Sequence, residues 1–204
     1  MTYAIQELVI RDVAPVDPDE ITDLVSEAMC DGPVARWMNP DPQARRRDSI
    51  GYFTIVVEHA VRFGEVYATA DAETGRLAGV ALWFPFTSLI PSPADYQTRL
   101  KEVTGPAFDR ACELDAALEA RHPLDAHHYL AILAVRPNHQ GHGIGSAMLD
   151  RHHARIDRAG LPAYLESNDP RNRDLYLRHG YVCDKPIELL DGPTLWPMWR
   201  APMP

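Results

Sequence analysis

Residues 133–145 read LAVRPNHQGHGIG. An apolar run of strand length, Tyr129 to Val135, enters a glycine-rich turn, Gln140-Gly141-His142-Gly143-Ile144-Gly145, and a helical stretch follows to near Gly160. A strand that runs into such a turn and then into a helix makes a ready anion site. The glycines let backbone approach a ligand closely, and the unpaired N–H groups of the first helical turn face a phosphate held at the positive end of the helix dipole. Neither the glycine spacing nor the acidic residue of a dinucleotide fold is present, and the Lys-Ser/Thr of a nucleotide P-loop is missing.

Working outward, Ala163 to Ser167 reads as the next strand, so two strands joined by one helix should lie parallel with a right-handed crossover. A short helix from about Arg171 to His179 stops at Gly180, and the Asp191-Gly192-Pro193 turn leads into a last strand, Thr194 to Arg200, of a terminal hairpin. Upstream, Gln6 to Arg11 reads as a strand. Asp17-Pro18 opens a helix to about Met29, and Asp41-Pro42 opens another that Gly64 stops. Glu65 to Ala70 and Leu77 to Phe84 form a hairpin around Thr74-Gly75, and Pro85 is expected to break the second strand. Ala94 to Arg121 is helix-forming, divided at Gly105-Pro106. The pattern is α/β, or α+β by strand order, with a mixed sheet flanked by helices.

Length and charge bound the rest. A chain of 204 residues with 46% hydrophobic residues reads as one domain over residues 1–204. A formal charge of -9 disfavours a nucleic-acid footprint and suits a neutral or cationic small molecule. Cys30, Cys112 and Cys183 show no paired spacing, so neither a disulfide framework nor structural zinc is expected. The N-terminal residues lack the pattern of a secretion signal and no stretch reaches membrane-spanning length, which points to the cytoplasm and away from a membrane. The pairs His127-His128 and His152-His153 lack metal-ligand spacing and a completing carboxylate; they read as solvent-facing, with no metal expected.

The strand plus Val-x-Pro-x-x-Gln-Gly-x-Gly-x-Gly plus helix resembles the coenzyme A pyrophosphate loop of GNAT acetyltransferases. A second stretch, YLESNDPRNRDLYLRHGYV at 164–182, resembles the same family's other half-site through Asn172, Tyr176, Gly180 and Tyr181. The resemblance implies the GNAT fold, with its parallel strands splayed around acetyl-CoA as co-substrate. It implies that Leu133, Ala134 and Val135 line the pantetheine arm, that Gln140 through Ser146 (Gln140, Gly141, His142, Gly143, Ile144, Gly145, Ser146) cradle the pyrophosphate, and that Asn172 belongs to the same site. Lys or Arg often stands where this chain has His142, whose lower charge leaves backbone donors as the main hold; simple solvent exposure of that histidine is an equal reading.

The resemblance makes Tyr176 the general acid, since a phenol with a pKa of about 10 stays protonated while a thiol leaving group lies near 8.5. Transfer is expected to be direct, without a covalent enzyme intermediate. Two residues compete as base. Glu166 reads equally as base, as ligand for the substrate ammonium or as an outward carboxylate, and His128 is the second candidate. The chain also resembles the puromycin N-acetyltransferase group of antibiotic self-protection enzymes, most closely over Tyr129 to Tyr181. That likeness implies a small-molecule amine acceptor, antibiotic or amino-acid-like, with a wall from Asp31 to Asn39 including Arg36 and Trp37, and with Tyr52 and Trp83 as further lining. A protein or peptide acceptor and a non-catalytic acyl-CoA-binding module are the alternatives, and monomer and homodimer are equally compatible with the sequence.

Overall fold

Three helices begin on the same dipeptide. Asp17-Pro18, Asp41-Pro42 and Asp169-Pro170 each place an aspartate at the N-cap and a proline, already at helical φ, in the first turn. The Asp41 carboxylate accepts from Ala44 N at 2.7 Å and the Asp169 carboxylate from Arg171 N at 2.7 Å, satisfying donors the helix leaves free. The computed structural model describes residues 10–12 and 17–203. In chain order the elements are β1 (Ile10–Asp12), α1 (Pro18–Met29), α2 (Pro33–Met38), α3 (Pro42–Phe63), β2 (Glu65–Ala70), β3 (Leu77–Phe86), α4 (Tyr96–Thr104), α5 (Phe108–Glu119), β4 (His127–Val135), α6 (Ile144–Arg158), β5 (Ala163–Ser167), α7 (Pro170–Arg178), β6 (Val182–Cys183), β7 (Ile187–Glu188) and β8 (Thr194–Arg200). Of the first strand expected at Gln6 to Arg11, residues 6–9 lie outside the described residues.

The sheet runs β1-β2-β3-β4-β5-β8-β6, with β7 also paired to β8. β4 and β5 are parallel and the other pairings are antiparallel, so the sheet is mixed as expected. One face is covered by α6, through Ile144, Met148, Leu149 and Ile156 packed with Trp83, Leu130 and Leu165. The other is covered by α1 and α3, through Ile21, Leu24, Val25, Val57 and Ala60 packed with Val80, Leu82 and Ile132. Gly79 lets α6 sit close to β3, because a Cβ there would lie 2.8 Å from Ile144 Cγ2 and 3.2 Å from Met148 Cε. Among the described residues no helix is long and apolar enough to cross a membrane.

Three expectations are corrected. Pro85 does not break β3, which continues to Phe86: β2 begins opposite Trp83, so one edge of β3 is free of a strand at Pro85, and a proline is tolerated there. The segment between the first two long helices contains a helix of its own, α2. The paired histidines are buried. His127 and His128 sit on a strand covered on both faces, and His152 and His153 both fall within the inward arc of α6. His152 Nε2 lies 3.2 Å from His128 Nδ1 and its Nδ1 lies 3.3 Å from Tyr67 Oη, while His153 Nε2 meets Tyr181 Oη at 3.0 Å. A carboxylate does approach the first group: Glu65 Oε2 is 3.8 Å from His152 Nδ1, but it is also ion-paired with Arg155. The group reads as a hydrogen-bonded core network.

Burial pushes the His152 imidazole from 6.5 down to about 2, and the neighbouring His128 lowers it further. A histidine held neutral in the fold contributes stability in full above its ordinary pKa and loses it as pH falls. Between pH 6.5 and about 4.5 this single group should remove about 2–3 kcal/mol. In His152→Phe, which keeps a flat ring against Trp83, thermal melts should show a lower Tm at neutral pH and a shallower decline over that interval than wild type; an unchanged decline would show that His152 is not held neutral.

Candidate active site

β4 and β5 are hydrogen-bonded across only two register pairs, His128↔Ala163 and Tyr129↔Tyr164. Beyond these they part. The register of β4 against β3 slips between Leu82↔Ile132 and Trp83↔Leu130, which makes Ala131 an extra residue. A bulge of this kind bends a strand and sharpens its twist. It also exchanges the strand's faces: Leu130 packs on the α6 side, whereas Ile132 and Ala134 pack on the α1 and α3 side. A cleft of about 390 Å³ opens where the strands separate, floored by residues 129–133 of β4 and 165–168 beyond the paired part of β5.

At the end of β4 the chain is pinned. Arg136 donates from its backbone N to Ala78 O at 2.9 Å and from Nε to Leu77 O at 2.6 Å, and its guanidinium pairs with Glu27 of α1. Gln140 Nε2 reaches back to Val135 O at 3.0 Å. Gly141 and Gly143 then adopt φ of +79° and +81°, conformations that favour glycine, with nothing within 4 Å of where a Cβ would stand. Gly143 is the N-cap of α6 and no side chain caps it, so the first-turn N–H groups are left to face outward. The His142 ring is exposed beside them, 3.3 Å from His139 O.

Among the ionisable side chains that line the cleft are Glu166 on β5 and Tyr176 on α7. Burial pushes the Glu166 carboxyl up to about 7, tempered by hydrogen bonding to the Tyr164 and Tyr129 hydroxyls, and its Oε1 is buried with no hydrogen-bond partner. Burial alone raises Tyr176, whose phenol therefore stays protonated at neutral pH. Its ring meets Tyr181 edge-on at 5.8 Å. The Asp169 cap fixes the start of α7, which sets Asn172 and Tyr176 one turn apart on the cleft side.

Residues 112–183, the part of the chain that holds the strand gap, the glycine turn and α7, match the acetyltransferase (GNAT) domain family. The protein is an enzyme that carries a GNAT-type acetyltransferase domain. Its structure is similar to that of histone acetyltransferase HPA2 and related acetyltransferase from Corynebacterium glutamicum, at 28% identity over 98% of this chain and 99% of that one, with a TM-score of 0.74. It shares the fold of arylalkylamine N-acetyltransferase 2 from Aedes aegypti, at 13% identity over 97% and 100% of the two chains, TM-score 0.67. It also shares the fold of the PaiA N-acetyltransferase from Thermoplasma acidophilum, solved with coenzyme A, at 10% identity over 96% and 99%, TM-score 0.57.

Enzymes of this superfamily use acetyl-CoA. The open glycine cradle, the uncapped start of α6 and the edge of β4 left unpaired by β5 fit a ligand with a pyrophosphate at one end and an extended amide arm at the other. Of the residues expected at this site, Leu133, Asn172, Tyr176, Glu166 and Tyr52 all line the cleft of the acetyltransferase. Ala134 and Ile144 turn their side chains into the two core layers and have only backbone to offer a ligand, and Val135 packs at the margin of the α6 layer. Gly145 packs against Leu133 and Leu175, and Ser146 Oγ is engaged by His179 Nε2 at 3.1 Å.

Four expected residues fall elsewhere. His128 lies across the sheet from the cleft, inside the His152 network, because it alternates with Tyr129 along β4. Trp83 is likewise on the α6 side, fully buried and stacked on His152 at 3.8 Å. The 31–39 segment does wall the cleft, through Gly32, Val34, Ala35, Met38 and Asn39, but Arg36 turns back to Asp31 O and Trp37 packs away against Gly192, donating to Leu190 O at 3.1 Å. Sequence reasoning missed Tyr96, Asp115 and Tyr129 as lining residues. Their signal was available in part: an amphipathic α4–α5 insert that closes one side of a pocket must turn some residues into it.

Proposed function

We propose that the protein binds acetyl-CoA along β4 and the α6 turn and transfers the acetyl group directly to the primary amine of a small molecule held in the cleft, with residues 1–204 acting as one such domain. The observation that carries this reading is that Glu166 and Tyr176, a carboxyl poised near neutrality and a protonated phenol, line one cleft at the strand gap. Backbone N–H groups of residues 141–146 hold the pyrophosphate, and the unpaired edge of β4 at Leu133 to Val135 binds the pantetheine amides.

Glu166 takes a proton from the acceptor ammonium, so that the neutral nitrogen attacks the thioester carbonyl carbon. As the new C–N bond forms and the C–S bond breaks, Tyr176 donates its proton to the departing sulfur, the nitrogen gives its second proton to the tyrosinate so that a neutral amide results, and Glu166 releases its proton to solvent. Asn172, one turn before Tyr176, orients the bound arm. The aromatic walls favour an amine on an apolar or planar body, which supports small-molecule acceptors of the antibiotic self-protection kind, puromycin among them.

Free-thiol release from acetyl-CoA, measured over a panel of puromycin, aminoglycosides, simple amines and short peptides, tests the reading. Fast turnover of a small amine is expected; turnover of peptides alone would contradict the acceptor class, and binding of acetyl-CoA without turnover would favour a binding module. Tyr176→Phe should lower kcat by about 10²-fold or more with little change in KM. The acid limb of the kcat/KM profile should rise through about pH 7, where Glu166 loses its proton, and Glu166→Gln should abolish that limb.

A further inference from the structure

The same cleft holds a second carboxylate for which the chemistry at Glu166 has no use. Asp115 projects from α5 and accepts a hydrogen bond from Tyr96 Oη at 2.9 Å, and its other oxygen is left to the cleft. Asp115 and Glu166 line one cleft, together with Tyr52, whose phenol both carboxylates help to push up. A third acidic residue of the lining, Asp48, is already engaged by Asn39 at 2.8 Å and Arg47 at 3.4 Å.

Among the described residues neither Asp115 nor Glu166 is in an ion pair, and Oε1 of Glu166 is buried without any partner. Arg45, the one arginine in the lining, spends its guanidinium on Asp31 at 2.7 Å and on the carbonyls of Cys30, Asn39 and Pro40. His59 is kept neutral by burial and by Arg62. Burial also raises the Asp115 carboxyl, and Glu119 nearby adds to the effect, so a positive charge arriving there would be welcome twice over. Apolar side chains of the same lining include Met38, Phe53, Leu114 and Leu118.

We propose that the acceptor carries two protonated nitrogens joined by an apolar spacer, one presented to Glu166 for acetylation and the other held by Asp115 and Tyr96. This rests on the acetyltransferase reading above and adds a second subsite to it. Each carboxylate takes one ammonium, the spacer covers the apolar wall, and the charges that the fold leaves unanswered are met by substrate. Asp115 acts on binding alone, since it lies outside the proton transfers at Glu166 and Tyr176.

Steady-state kinetics on matched pairs test this: putrescine against butylamine, cadaverine against pentylamine, and para-xylylenediamine against benzylamine. At least one diamine should show kcat/KM about tenfold or more above its matched monoamine, with the gain in KM. Asp115→Asn, which keeps an acceptor for Tyr96, should erase that preference while leaving kcat/KM for the monoamine within about twofold. Equal kcat/KM for diamines and monoamines in the wild-type enzyme would overturn the second subsite, a result that does not depend on how the variant folds. An equal loss for both amine classes in Asp115→Asn would overturn it too, by showing a structural role. If monoamines and diamines alike fail to react, the second subsite is overturned, and the acetyltransferase reading falls with it only if the wider amine and peptide panel is inert as well.

Discussion

The separation of β4 from β5 after two register pairs is the constraint on which the molecule's chemistry depends. Two parallel strands that continued side by side would consume each other's backbone groups and leave a closed sheet. The extra residue at Ala131 bends β4 away, and the cleft opens in the middle of the sheet, with core layers on both faces. Glu166 lies on the stretch of β5 that has lost its β4 partner, which is why a carboxyl can be buried there and still meet a substrate. The β4 edge past the bulge has no strand partner on the β5 side, though Gln140 Nε2 reaches Val135 O, and β3 holds it in register on its other side.

Around that gap, each anchoring contact fixes the position of a reacting or binding group. Arg136 ties the end of β4 to β3 and α1, so the glycine turn starts from a fixed point. Gly79 allows α6 to lie against the sheet and sets the direction in which its N-terminus opens. On the far side, Arg200 of β8 grips Asp157 of α6 with two bonds of 2.7 Å and donates to His179 O at 3.1 Å, joining the end of α7 to α6. The C-terminal turn at Gly192 packs on Trp37, so the last hairpin braces the helix that walls the acceptor side. A site assembled from β4, β5, α2, α3, α5 and α7 is held in place by these few ties.

Much of this was legible in the chain. Asp17-Pro18 and Asp41-Pro42 placed two helix starts to the residue, the third helix starts at Pro170 where the sequence pattern put it near Arg171, and Gly64 and Gly180 marked where helical runs stop, because capping is local. The Asn172–Tyr176 spacing likewise pointed to two side chains that do line one cleft. Facing was the part that local pattern could not decide. β3 is buried along most of its length on both sides, so nothing in its sequence says that Trp83 turns toward α6 and not toward the cleft. The bulge at Ala131 reverses alternation within an apolar run, which no period-two count reveals. The histidines read as exposed because they are polar and adjacent, whereas the partners of His128, His152 and His153, namely Tyr67, Tyr181 and one another, lie 24 to 85 residues away in sequence.

Amide hydrogen exchange with and without acetyl-CoA tests the strand gap most directly. If the gap is where the co-substrate binds, protection should rise at residues 133–135 on the free edge of β4 and at residues 141–146 at the start of α6, while β2 and the outer surface of α1 stay unchanged. Binding that leaves both segments unprotected, or that protects a surface remote from them, would contradict the account.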